Sequence, residues 1–245
     1  MVPPGKRPMK LLSDKRSWAV LLLAACAGAL SAAAPDYDAA RQAMVATLRD
    51  QGIRNARVLA AMAKVRRHLF VPEAQRSRAY TEAEIPIAHG KVMASPYQIA
   101  LMTQTLDPQP NTKVLELCTG SGYQTAILAE LSSQVYTVER DTKLSEAASE
   151  RMRNLGCKGV KLGVGEEMKG WPAHAPYQAI LVSAAADRVP DHLVEQLADG
   201  GRLVITIGRG PEQTLNCMRK SGGKLRVEAV IPLRMSASVT RPRAR

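Results

Sequence analysis

The most constraining feature of this 245-residue chain is a short apolar run, 114–117, that ends in a loop carrying Gly120 and Gly122 and passes directly into a helical pattern at 124–131. A second apolar run, 135–138, ends in Glu139, and the spacing after it predicts a helix over 141–155. Further runs at 160–164, 179–182 and 203–207 predict strands, with a helix over 190–197 and a turn at Asp199-Gly-Gly201. Strands that alternate with helices run parallel, because each parallel pairing needs a crossover. The order therefore predicts an α/β domain with a mostly parallel sheet and helices on both faces. After Gly208 the pattern changes. Runs at 214–218 and 225–232, separated by Ser221-Gly-Gly223, predict antiparallel strands at the C-terminal end.

Ahead of the glycine loop the chain is helical. Apolar residues at helical spacing predict helices over 37–49 and 55–65, the first capped by Asp36 or Asp38. Prolines in Phe70-Val-Pro72, Ile85-Pro-Ile87 and Ser95-Pro96 break the next thirty residues into turns and extended pieces, since proline lacks a donor and restricts its predecessor. A helix is predicted over 96–106. No internal repeat is present, so the chain reads as one α/β domain with a helical N-terminal addition.

In an open α/β sheet a loop like 118–122 lies where ligands bind. A dinucleotide fingerprint needs a third glycine, but Gln124-Thr125 follows here, and no Gly-Lys-Ser/Thr phosphate loop occurs. Glu139, nineteen residues after Gly120, is placed to accept hydrogen bonds from ribose hydroxyls, and Glu116 could face a cationic ligand. A ribose-containing, phosphate-free cation fits this pattern, and S-adenosyl-L-methionine is such a molecule. The candidate cofactor-binding set is Glu116, Thr119, Gly120, Ser121, Gly122 and Glu139.

The stretches "VLELCTGSGYQTAILAEL" and "VYTVER", with Arg67-His-Leu-Phe-Val-Pro72, Ser95-Pro-Tyr97, Gly170-Trp171 and Ala175-Pro-Tyr177, resemble the protein-L-isoaspartate O-methyltransferases over roughly residues 38–230. The resemblance implies a Rossmann-like methyltransferase fold and S-adenosyl-L-methionine as cofactor. It implies esterification of the carboxylate of L-isoaspartyl residues in damaged proteins, which then return through a succinimide toward normal aspartate. Isoaspartyl proteins or peptides are the implied partners, of a monomeric enzyme. The family's carboxylate-holding serine falls on Ala94, with Ser95 one place later; Ser95 is the candidate catalytic residue, or else the cap of the 96–106 helix. Glu166, in Gly165-Glu-Glu167, matches the acid beside the adenine. Cys118 stands at the first glycine of the loop, Ala88 at a glycine, Lys91-Val92 at Gln-Thr, Glu167 at a glycine and Gln178 at an aspartate.

Charge and the termini bound the other readings. The net charge of +12 suggests nucleic acid until it is located: residues 1–34 carry +4, residues 218–245 carry +7, and the domain between is nearly neutral. With aromatic residues at only 4%, a stacking surface for single strands is not expected, and no nucleic-acid partner is predicted. Lys6, Arg7, Lys10, Lys15 and Arg16 precede an uncharged run, 17–35, so residues 1–35 read as a signal-peptide-like leader. Leu23-Ala-Ala-Cys26 resembles a lipobox, which makes membrane association through the leader an expectation. Residues 36–233 are the methyltransferase domain, and 234–245 a basic tail. The four cysteines show no metal or redox spacing, and no metal is expected. Two functions follow: a cytoplasmic repair enzyme, as its cofactor requires, or a degenerate methyltransferase-fold protein with a binding or regulatory role in the cell envelope.

Overall fold

The structure, a computed structural model, describes Met1 and residues 35–210 and 212–234. The chain divides into two units, Met1–Pro35 and Asp36–Arg245. The expected leader and basic tail lie almost wholly outside the described residues. Two helices open the second unit, α1 (Tyr37–Asp50) and α2 (Ala56–Lys64). Asp36 caps α1 by accepting from the N–H groups of Asp38 and Ala39, and Asn55 caps α2 in the same way, so first-turn donors without intrahelical partners are satisfied. A small antiparallel hairpin, β1 (Ile85–Pro86) and β2 (Val92–Met93), precedes α3 (Pro96–Leu106).

The alternating part follows as β3 (Lys113–Leu117), α4 (Tyr123–Leu131), β4 (Gln134–Glu139), α5 (Thr142–Asn154), β5 (Val160–Val164), β6 (Tyr177–Ala186), α6 (Asp191–Gln196) and β7 (Leu197–Arg209). β8 (Glu212–Ser221) and β9 (Lys224–Arg234) complete it. The seven-stranded sheet has the order β5-β4-β3-β6-β7-β8-β9, parallel from β5 to β7 and antiparallel from β7 to β9. From β3 the chain builds outward through β4 and β5, then returns to the other side of β3 with β6. The end of β3 is thus where the order reverses and a crevice opens.

The period of two along the strands divides the interior. Val114, Val135, Ala179, Leu181 and Val204 point to one face, under α1 to α4 and Met152 of α5. Leu115, Leu117, Val138, Ile180, Val182, Leu203 and Ile205 point to the other. The expectation of helices on both faces needs correction in its balance. Five helices cover the first face, whereas the second is closed by α6 with Leu193 and by short 3-10 turns bearing Met168 and Trp171. The turn expected at Asp199-Gly-Gly201 is also corrected: these residues lie within β7, where pairing with β6 skips from Tyr177↔Leu197 to Ala179↔Arg202. Gly200 at φ +75° absorbs that bulge. Ser221-Gly-Gly223 does make the turn between β8 and β9.

Candidate functional site

The glycine loop leaves β3 with three residues in the left-handed region: Cys118 at φ +72°, Gly120 at +55° and Gly122 at +84°. At Gly122 the backbone conformation favours glycine, and a Cβ would stand 3.0 Å from Met152 Cε, the flexible end of a side chain that would have to give way slightly. Cys118 adopts the same region with a side chain. The N–H of Cys118 donates to Val138 O at 2.9 Å, fixing the loop to β4. Burial pushes the Cys118 thiol up, so it stays protonated and is no nucleophile. A left-handed residue with a Cβ costs roughly 1–2 kcal/mol, and glycine's extra freedom in the unfolded chain returns only about 0.4–1 kcal/mol of that. Cys118 also packs against the second core cluster, and losing that contact costs about 0.8 kcal/mol. The terms nearly cancel, so Cys118→Gly is expected to change stability by less than about 1 kcal/mol, read as a nearly unchanged denaturant midpoint.

Glu139 ends β4 beside this loop and is 1% exposed. Its Oε2 accepts from the Gly120 N–H at 2.9 Å and its Oε1 from the Asp141 N–H at 3.1 Å. Thr119 and Ser121 turn inward: Thr119 Oγ1 bonds Thr137 Oγ1 at 2.6 Å, and Ser121 Oγ accepts from the Tyr123 N–H at 3.4 Å. The carbonyl of Ser121 accepts from Arg151 Nη1 at 2.7 Å. The loop is thus held from α5 and β4 at once.

Two acids fall elsewhere than the sequence places them. Glu116 does not face the crevice. Its side chain lies among the first-face core residues, fully buried, and accepts from Thr125 Oγ1 of α4 at 2.6 Å. Burial raises its pKa to about 8, so it is mainly neutral at pH 7 and gives a cationic ligand no counter-charge. Because the folded value lies above the unfolded one, this group removes stability as pH rises from the ordinary carboxyl range toward 8. Glu166 points outward and pairs with Lys169 at 2.8 Å in an exposed ion pair. Its neighbour Glu167, which the sequence reading left out of the set, is 8% exposed. It accepts from the Arg140 N–H at 3.4 Å, and burial together with the nearby Glu139 charge raises its pKa against the opposing effect of Lys91. A 3-10 turn beginning at Glu167 sends the two side chains apart.

The hairpin segment 85–95 forms the other wall. Ile87 Cδ1 lies 3.5 Å from where a Gly120 Cβ would stand, so the hairpin rests on the glycine loop. Two pairs join it to the β4 side: His89 Nδ1 with the Asp141 carboxylate, and Lys91 Nζ with Glu167 Oε1 at 3.7 Å. Ser95 is the N-cap of α3 in a complete capping box: its hydroxyl accepts from the Gln98 N–H, and Gln98 Oε1 accepts from the Ser95 N–H, each at 3.2 Å. The cavity beside it, about 390 Å³, is lined by Glu82, Glu84 and Tyr97, a poor setting for a carboxylate. As the α3 cap the Ser95 hydroxyl accepts from Gln98 and keeps its own proton to donate, so the geometry gives Ser95 a positioning role in the fold beside the catalytic reading. Arg67, absent from the sequence-derived set, is wholly buried and donates to the carbonyls of Ala79 and Ala94 at 2.7 and 2.6 Å. Among the described residues no group of three His, Cys, Asp or Glu side chains could hold a metal.

Comparison with known proteins identifies the family and the fold. The family model described as protein-L-isoaspartate(D-aspartate) O-methyltransferase matches residues 39–240. Relatives named protein-L-isoaspartate O-methyltransferase include one from Dictyoglomus thermophilum, 46% identical over 188 residues that cover 77% of this chain and 86% of the relative. One from Aeropyrum pernix is 48% identical over 193 residues, covering 77% and 74%. A solved protein-L-isoaspartate O-methyltransferase superposes with a TM-score of 0.70 at 22% identity, covering 82% of this chain and 66% of its own. A Plasmodium falciparum chain described as a beta-aspartate methyltransferase, solved with S-adenosyl-L-homocysteine, gives 0.64 at 24% identity, covering 82% and 99%. By its matched length and by its identity to these relatives, the chain belongs to the protein-L-isoaspartate(D-aspartate) O-methyltransferase family.

Proposed function

We propose that this protein transfers the methyl group of S-adenosyl-L-methionine to the carboxylate of L-isoaspartyl residues in damaged proteins. The observation that carries the reading is the buried Glu139 carboxylate beside the left-handed glycine loop, at the end of β3, in a chain of this family. A carboxylate has about four lone-pair sites. Two are taken by Gly120 and Asp141 N–H groups, which leaves acceptor capacity for ribose hydroxyls. The cofactor therefore fits the residues present. Glu139, Gly120 and Gly122 would hold it, with the inward-turned Thr119 and Ser121 shaping the loop from behind.

Bound there, the cofactor supplies an electrophilic methyl group. An ionised carboxylate is already a nucleophile, so the protein needs no general base, and its task is alignment and exclusion of water. That task falls to the hairpin segment against which Gly120 rests. With no hydroxyl at position 94, the backbone of this segment carries the grip on the acceptor, and Arg67 and Ser95 act as positioning residues that keep it in place. Because the cofactor is made in the cytoplasm, we place the active domain on that side of any membrane. No described helix is long and apolar enough to cross one.

The test is methyl transfer from labelled S-adenosyl-L-methionine by the full chain to an isoaspartyl peptide, beside the matching aspartyl peptide. Transfer to the first alone supports the reading. Loss of transfer with cofactor binding intact would overturn it in favour of a degenerate family member with a binding role. Ser95→Ala is expected to cost about 1 kcal/mol of stability through the lost cap and to raise KM for the peptide with kcat little changed. Ser95→Asn, which also caps, is expected to restore both. An activity loss that Asn does not rescue would give the hydroxyl a direct part in the reaction.

A further inference from the structure

Glu139 is 1% exposed, so a ligand reaches its carboxylate only when a neighbour moves, and Glu167 is a buried neighbour of it. Glu167 accepts from the Arg140 N–H at 3.4 Å, one residue beyond Glu139, is reached by Lys91 Nζ at 3.7 Å from the hairpin, and lies near enough to the Glu139 carboxyl for the two negative charges to oppose each other. Glu139 in turn holds the Gly120 N–H, so three elements meet here: the hairpin, the glycine loop and the end of β4. Two neighbouring buried carboxyls cannot both be ionised at low cost, and the pairing requires a bound proton or a nearby cation. Lys91, itself part-exposed, offsets part of that cost, and the remainder holds a proton on Glu167 above the ordinary carboxyl range.

We infer that Glu167, latched by Lys91, is an internal competitor for Glu139: the cofactor's ribose takes the acceptor face of Glu139 only after the Glu167 carboxyl has moved out to solvent. This rests on the proposed cofactor site and deepens it. Burial and the Glu139 charge raise the pKa of Glu167, against the opposing effect of Lys91. The other groups on these elements are the neutral Cys118 thiol, the Arg140 N–H, the outward Glu166–Lys169 pair on its own turn, and the His89–Asp141 pair that also joins the hairpin to the end of β4. From α6 the polar contact with this turn is the uncharged Gln196, bonded to Lys169 O at 2.8 Å. Displacement into water returns Glu167 to ordinary carboxyl behaviour, so binding releases a proton. Affinity then rises with pH between the ordinary glutamate range and the raised value, by up to about tenfold per pH unit, and is flat above it.

The experiment is calorimetric titration of S-adenosyl-L-homocysteine into the full chain from pH 5 to 7, in two buffers of different ionisation enthalpy, with melting curves to show that each variant is folded. Glu167→Ala is expected to bind at least about tenfold tighter at the acidic end and to lose the proton release. Glu167→Gln keeps a donor against Glu139 but cannot ionise, and is expected to bind weakly at every pH. Equal affinity and pH profile for the wild type and Glu167→Ala would overturn the inference alone. Weaker binding by Glu167→Ala would make Glu167 a ligand of the cofactor and overturn it as well. Failure of the wild type and both variants to bind would remove the cofactor site and the inference together.

Discussion

Glu139→Ala is expected to weaken S-adenosyl-L-homocysteine binding by at least about 100-fold, equivalent to roughly 2.8 kcal/mol, in a calorimetric titration. The carboxylate is buried and serves two backbone donors, Gly120 N–H and Asp141 N–H, before any ligand arrives. Hydrogen bonds to a charged group are worth about 1.5–3 kcal/mol each. Removal therefore acts twice: ribose hydroxyls lose their acceptor, and the loop loses the group that holds Gly120 at φ +55°. Glu139→Gln separates the two effects. Its amide oxygen can keep one backbone donor, but its nitrogen faces the other donor, so an intermediate loss is expected. Unchanged affinity in Glu139→Ala would remove Glu139 from the ribose role. If the Glu167 latch operates, Glu139→Ala also leaves Glu167 without its partner, and the pH dependence of any residual binding should flatten.

The sequence made the central unit legible because the interior strands of a parallel sheet are covered on both faces and read as continuous apolar runs. The residues 96–106 form α3 with the expected bounds, since Ser95-Pro96 fixes its start physically through cap and first-turn proline. The ends of β6 and β7 were less legible. β7 continues through Asp199-Gly-Gly201, a triplet whose local chemistry reads as a turn and whose strand conformation is imposed by pairing with β6. Side-chain direction was the least legible. Alternation along β3 puts Glu116 opposite Leu115 and Leu117, but only the packing of α4 shows that its face is core. Glu166 and Glu167 are adjacent acids, and the 3-10 turn that buries the second leaves no pattern in the sequence. Arg67 sits in the basic run Lys64-Val-Arg-Arg67, which reads as a solvated face; only tertiary contacts distinguish it from Lys64, which is exposed.

Arg67→Met is expected to destabilise the domain by about 3–5 kcal/mol in denaturant unfolding. The guanidinium is wholly buried, lies 4.7 Å from the Tyr123 ring centroid, and bonds the carbonyls of Ala79 and Ala94. Burial lowers its pKa, yet arginine stays protonated in this setting, so the fold carries a desolvated cation compensated by carbonyl dipoles and an aromatic face. An opposing argument exists: replacing buried ionic groups with apolar side chains of similar volume is often neutral or stabilising. It applies when both partners are replaced. Here the partners are backbone carbonyls that no substitution removes, and each buried acceptor left unmatched costs about 1–3 kcal/mol. The cost therefore prevails over the relief of desolvation. Arg67→Lys should recover part of the loss, because an ammonium can reach one carbonyl but lacks the fork that spans two. The Ala94 carbonyl belongs to the hairpin segment assigned to the acceptor, whereas Glu139 is anchored independently through Gly120 and Asp141. At temperatures where Arg67→Lys remains folded, transfer to an isoaspartyl peptide should fall through a higher KM while S-adenosyl-L-homocysteine affinity stays near wild type. Equal losses in both would mean that Arg67 supports the whole crevice and not its acceptor wall alone.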